Sequence, residues 1–144
     1  MGDDSMSAAQ VQTYLFFNGQ CEEALEFYKS AIGAEVEFAM HYRDSPDPMP
    51  GVEMRPNFEG KVMHATVRIG GTTLMAADDC VSERSFDGFS LSLALPNETD
   101  AHRAFEALSD GGRVTMPLTK TFWSPCFGML TDKFGVGWMV TVAK

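Results

Sequence analysis

Apolar and small residues alternate strictly through FSLSLAL, from Phe89 to Leu95. A strand sends successive side chains to opposite faces, so this period of two predicts a strand with two unlike faces. Phe89, Leu91, Leu93 and Leu95 form one face, and Ser90, Ser92 and Ala94 the other. The same reading makes strands of VQTYLFF (11–17), AEVEFAMHY (34–42), KVMHATVRI (61–69), TTLMAA (72–77) and RVTMPL (113–118). In the second of these, Val36, Phe38 and Met40 share a face. Gly70-Gly71 joins two of them as a tight hairpin. CFGMLTDKFGVGWMVTV (126–142) reads as another hairpin, turning near Asp132 to Gly135.

Two segments carry the helical period instead. In NGQCEEALEFYKSAIGAE, the residues Ala24, Leu25, Phe27, Tyr28, Ala31 and Ile32 make one stripe. Glu22 and Glu23 lie in its first turn, where the helix dipole favours them, and Gly33 suits the left-handed position at its end. In NETDAHRAFEALSDGG, the stripe is Ala101, Ala104, Phe105 and Leu108. Asn97 is a candidate N-cap with Asp100 beside the free N–H groups, and Gly111 closes the helix.

The order strand, helix, strand, strand, strand therefore occurs twice. An offset of 78 residues brings Phe27 onto Phe105, Gly33 onto Gly111 and Val36 onto Val114. A repeat of this size predicts two similar modules sharing a core. Between the second and third strands of the first module, residues 43–60 hold four of the seven prolines, which argues against regular structure there. A loop this long is either a lid or a plain excursion.

Composition narrows the function classes. The 144 residues suit one domain or two small halves, and 44% apolar content fills a core. A net charge of −9 speaks against nucleic acid and anionic membranes as partners. No apolar run has the length of a membrane span, and MGDDSMSAAQ lacks the basic and apolar regions of a signal peptide, so a cytoplasmic location is expected. Cys21, Cys80 and Cys126 lie far apart and are expected to be free, buried thiols.

The segments YLFFNGQCEEALEFYKSAIGAE, VMHATVRIGGTTLMAADD and FGMLTDKFGVGWMVTV, with the LALPN strand end, resemble the glyoxalase / bleomycin-resistance / dioxygenase superfamily, also called vicinal oxygen chelate. The resemblance is closest to its PhnB-like branch, whose members often carry a 3-demethylubiquinone 3-methyltransferase label. It implies an α+β fold of two βαβββ modules, with eight strands forming a curved mixed sheet and two main helices. Residues 1–10 are expected to be extended or disordered, and 11–144 to form the single domain, with modules near 11–79 and 88–143. In this fold the helices cover the convex faces and the concave faces meet as a cup. A Rossmann-type methyltransferase would need a Gly-rich strand-to-helix turn. The nearest match, GVGWMV, enters a strand instead.

Parity then assigns faces. Met63, Ala65, Val67 and Ile69 are expected to cover the first helix, leaving Val62, His64, Thr66 and Arg68 toward the cup, and Phe89, Leu91, Leu93 and Leu95 to cover the second, leaving Ser90, Ser92 and Ala94 toward the cup. Metal-dependent relatives place four ligands on the first and last strands of the modules. The matching positions here are Gln12, Ser90, Met139, and Leu74 or Met75. One amide, one hydroxyl and two apolar side chains do not suit a divalent ion, so no metal and no cofactor are expected.

His64 is the candidate acid/base, or else plain polar lining, because neutral imidazole acts near pH 7. The expected pocket comprises Gln12, Tyr14, Thr66, Arg68, Ser90, Ser92, Trp123, Cys126 and Met139. The resemblance leaves two function classes open. One is a metal-independent enzyme acting on a small apolar or aromatic metabolite. The other is a sequestering protein of the bleomycin-resistance type. A homodimer is expected in either case, since half-cups in this superfamily are commonly completed by chain pairing.

Overall fold

The computed structural model describes residues 8–45 and 53–143. Its first module runs β1 (Tyr14–Phe17), α1 (Cys21–Ile32), β2 (Glu35–His41), a 3₁₀ turn (Tyr42–Asp44), β3 (Val62–Ile69) and β4 (Thr72–Asp78). The second runs β5 (Leu91–Leu95), α2 (Glu98–Ser109), β6 (Arg113–Thr119), β7 (Phe127–Thr131) and β8 (Gly137–Val142). The sheets are ordered β1-β4-β3-β2 and β5-β8-β7-β6, and in each the first strand lies parallel to the last. The expected α+β fold of two βαβββ modules is therefore present, as two four-stranded sheets. The expectation for residues 1–7 and the prolines at 46, 48 and 50 lie outside the described residues.

The 78-residue repeat extends to backbone detail. Gly33 and Gly111 both take positive φ, 72° and 76°. The β2/β3 ladder slips between Val36 and Phe38, and the β6/β7 ladder slips between Val114 and Met116, which is the same place in each module. Such bulges bend and twist a strand.

Each helix starts for its own reason. Asn97 accepts a hydrogen bond from the Asp100 N–H at 2.8 Å, as the sequence suggests. The residue before α1, Gln20, makes no side-chain cap. Asp78, at the end of β4, serves instead: its Oδ1 accepts from Gly19 N and Cys21 N at 2.8 and 2.9 Å, and its Oδ2 from Val62 N at 3.0 Å. A buried carboxylate from the parallel neighbour of β1 thus fixes the entry to α1.

One continuous core joins the modules. It includes Leu15, Phe17, Tyr28, Ala65 and Val67 from the first, with Phe105, Leu108, Leu130, Trp138 and Val140 from the second. Each such large apolar side chain contributes about 1.5–3 kcal/mol on burial. At the centre, Asp132 Oδ2 accepts from the Tyr28 hydroxyl at 2.6 Å and Trp138 Nε1 at 2.9 Å. Its Oδ1 accepts from Phe134 N and Val136 N at 2.9 and 3.0 Å. The hydrogen bond from Tyr28 ties α1 of one module to the β7–β8 turn of the other.

Three parity assignments need correction. Val36, expected to share a face with Phe38 and Met40, pairs with core-facing Val67, whereas Phe38 and Met40 pair with Thr66 and His64, because the ladder slips between Val36 and Phe38. His64 pairs with Met40 but Val62 pairs with His41, so Met63 is the extra residue of a bulge. Past it the alternation reverses: Val62 enters the core at 2% exposure, and Met63 does not. Phe89 precedes β5, is 43% exposed, and meets Phe86 edge-on rather than covering a helix.

Candidate functional site

Leu15, Ala65, Val67 and Ala76 face the core, so the residues alternating with them line the opposite, open face of the first sheet. Pairing across the ladders makes one row there: Tyr14 with Met75, Met75 with Thr66, and Thr66 with Phe38. Met40 pairs with His64 beside it. Tyr14 and His64 are joined directly, with the phenol oxygen 2.9 Å from Nδ1. Aromatic rings surround them. Tyr14 stacks on Phe16 at 4.6 Å, and the His64 ring lies 5.8 Å from Tyr14 and 6.1 Å from Phe38. Phe38 is 48% exposed, and Tyr14 and Phe16 37% each, so this apolar surface is open.

Burial, with a smaller contribution from Cys21, raises the Tyr14 pKa above its ordinary value. The phenol therefore keeps its proton at neutral pH and can donate it to Nδ1. Arg84 sits at the rim, its guanidinium carbon 5.5 Å from the Phe16 ring centre and its Nε bonded to Asp79. Burial pushes the Asp79 carboxyl up, but Arg84 and the Ser82 and Val81 N–H groups outweigh it and hold the pKa low.

The equivalent row on the second sheet is different in chemistry. Ser92 pairs with Met139, Met139 with Met129, and Met129 with Met116. By the 78-residue offset Ser92 corresponds to Tyr14 and Met116 to Phe38. An aromatic row thus has a thioether row as its counterpart. Trp123 packs edge-on against Phe127 at 5.5 Å and Phe122 at 4.8 Å, beside β7.

The expected pocket residues fall into three groups. Tyr14, His64 and Thr66 come together on the first open face. Ser92 and Met139 come together on the second, with Trp123 near its edge; among the described residues no ring or hydrogen-bond contact joins Trp123 to His64. The others stand apart. Gln12 is exposed ahead of β1, and Ser90 meets only Ser92 of the expected set, the two sharing a cavity of about 250 Å³ with Thr13, Leu74 and Trp138. Arg68 is paired with Glu35, and lies 3.6 Å from Glu37, so carboxylates already neutralise its charge. Cys126 is 3% exposed within the core, and burial, with the charge of Glu98, raises its thiol pKa.

For the four superfamily ligand positions, the register chooses Met75 over Leu74. Met75 pairs with Tyr14 as Met139 pairs with Ser92, whereas Leu74 is in the core. Gln12, Ser90 and two thioethers are a donor set that does not fit the divalent ions of that superfamily. Phe38, Met75 and Arg84 were not among the expected site residues. Phe38 carried a signal in its strand alternation, Met75 stood as one of two alternatives, and Arg84 lies in irregular sequence with none.

Two sheets of order 1-4-3-2, each backed by one helix and related by an internal repeat, define the glyoxalase-like class. A glyoxalase / bleomycin-resistance / dioxygenase domain from Frankia sp. EAN1pec shares the fold, with a TM-score of 0.66 at 10% identity over 94% of this chain and 98% of that one. Nearer relatives narrow the class. Protein PA1353 from Pseudomonas aeruginosa is 39% identical, with a TM-score of 0.82 over 94% of this chain and 98% of that one. The PhnB protein from Bacillus cereus, which carries the 3-demethylubiquinone-9 3-methyltransferase name, is 32% identical, with a TM-score of 0.76 over 94% and 100% of the two chains. Residues 9–141 match the family described as 3-demethylubiquinone-9 3-methyltransferase. The chain belongs to that family, the PhnB-like branch of the glyoxalase superfamily. Among the described residues no helix is long and apolar enough to cross a membrane.

Proposed function

We propose that this PhnB-like protein binds a small, largely apolar or aromatic metabolite on the open face of its first sheet, without a metal at the four superfamily positions. The supporting observation is the Tyr14–His64 pair set among Phe16 and Phe38. Flat rings there offer stacking surface, and the imidazole supplies one oriented polar group, the usual composition of a small-molecule site. A second copy of the chain closes the face, bringing the methionine row and Trp123 of its second module over the aromatic row. Thioether sulfur and aromatic rings pack favourably, which suits the two rows to each other.

A second reading, metal-independent catalysis, is favoured by the same hydrogen bond. With Nδ1 engaged by Tyr14, Nε2 is the nitrogen left to exchange a proton with a ligand. Sequestration without chemistry uses the same face.

A thermal-shift screen of small aromatic and apolar compounds tests the site, since a specific ligand raises the melting temperature by mass action. A hit whose effect disappears in Phe38→Ala and His64→Ala supports the reading. A hit that stabilises both variants as it does the wild type removes it. Sedimentation at micromolar concentration should give a dimer mass, and a monomer would contradict the closing copy.

A further inference from the structure

Away from both open faces, α2 and the start of β7 bring together three side chains that the proposed function does not use. Glu98 opens α2 and His102 follows four residues later, so both project from one exposed face of the helix. Cys126 immediately precedes β7. A carboxylate oxygen, an imidazole nitrogen and Cys126 Sγ all lie within 4.8 Å of one another.

The thiol is the telling member. Cys126 is 3% exposed, forms no disulfide, and among the described residues its sulfur has no hydrogen-bond partner. Its backbone is fixed: the N–H donates to Ser124 Oγ at 3.2 Å, and the carbonyl accepts from the Ser124 hydroxyl at 2.8 Å and from Val142 N at 2.9 Å. The helix end is fixed as well, by the Asn97 cap. Two independently anchored elements thus hold a buried sulfur facing an exposed imidazole and carboxylate.

We propose that Glu98, His102 and Cys126 form a three-ligand site for a borderline divalent cation, Zn(II) being the best fit, with water as the fourth ligand. Zinc–ligand bonds of about 2.0–2.3 Å put tetrahedral donors roughly 3.3–3.8 Å apart, within reach of small side-chain rotations from the present spacing. Thiolate and imidazole suit Zn(II) and not Mg(II) or Ca(II), which take oxygen. Binding replaces the proton of the Cys126 thiol with the metal and releases that proton to solvent. One thiolate and one carboxylate then balance the charge of the dication. The exposed Glu98 and His102 give the ion its route in, and the bound ion clips the first turn of α2 to the start of β7. This site shares no residue with Gln12, Met75, Ser90 and Met139.

The test is equilibrium dialysis of the chelator-treated full chain with Zn(II), and titration with Co(II) as an optical probe. The expected result is one ion per chain, with the thiolate-to-cobalt charge-transfer band and the strong visible absorption of a tetrahedral centre. His102→Ala and Glu98→Gln, both at exposed positions, should weaken binding about tenfold or more while leaving the circular dichroism unchanged. Cys126→Ser should remove the charge-transfer band. No stoichiometric binding would overturn the proposal. So would binding that is unchanged in His102→Ala, or a cobalt complex without the thiolate band.

Discussion

Replacing Tyr28 with Phe removes one oxygen from the centre of the molecule, and the structure sets what this costs. Tyr28 is 1% exposed and Asp132 3%, and the hydroxyl donates to Oδ2 at 2.6 Å across the two modules. Trp138 Nε1 is the other donor to that oxygen. A hydrogen bond to a charged acceptor is worth about 1.5–3 kcal/mol, and the ring packing survives in Phe, so Tyr28→Phe should lose about 2 kcal/mol. For a chain of this length that lowers the melting temperature by roughly 6–10 °C. Removing both donors leaves Oδ2 buried and unmatched, so Tyr28→Phe with Trp138→Phe should cost more than the sum of the single variants. Urea unfolding followed by far-ultraviolet circular dichroism reads all three, with Tyr14→Phe, a half-exposed control, expected to lose under about 1 kcal/mol. A loss below about 0.5 kcal/mol for Tyr28→Phe, or strict additivity in the double variant, would refute the buried bridge as the link between modules.

Alkaline pH should unfold the protein through groups that the fold keeps protonated. Burial raises the pKa of Cys21, Tyr28 and Tyr42 above ordinary values of 9.0, 10.0 and 10.0. The native state therefore holds protons that the unfolded chain releases, and stability, intact below pH 9, falls as pH rises through this range. A melting temperature unchanged up to pH 11 would contradict the burial of these groups. Gly112→Ala should be among the most damaging small substitutions, by about 2–4 kcal/mol. A Cβ there would stand 2.3 Å from the Thr131 carbonyl oxygen and 2.9 Å from Asp132 backbone atoms, which cannot swing aside as a side chain can. Near-wild-type urea stability of that variant would show that the β6–β7 approach is looser than drawn.

Strand alternation and helix stripes carried most of the architecture, because burial on one face is written directly into which residues are apolar. The repeat was legible for the same reason: the glycines that end the helices need positive φ, and they recur at a fixed spacing. What failed was local. A single bulge residue, Met63, reversed the parity of Val62, and nothing in the composition of that strand marks the slip. The first helix lacks a cap in its own sequence because Asp78, 57 residues beyond Cys21, supplies it. Strand parity anticipates the shared open face of Tyr14, His64 and Thr66, but not features that depend on pairing. Arg68 is on an expected position yet is held by Glu35, a partner that only the β2/β3 register reveals. Cys126 and Trp123 are close in sequence, but one turns into the core and the other stays 48% exposed.

The central claim is that ligand binds against the Tyr14–His64 pair on the first open face. It is tested most directly by following the histidine imidazole signals in NMR while titrating a compound that raises the melting temperature. His64 should shift in a saturable manner, with the Tyr14 and Phe38 ring signals moving alongside it. His102, exposed on α2, and His41, held by Glu22, should stay in place. A saturating ligand that leaves His64 unmoved, or that moves His102 instead, would contradict the account.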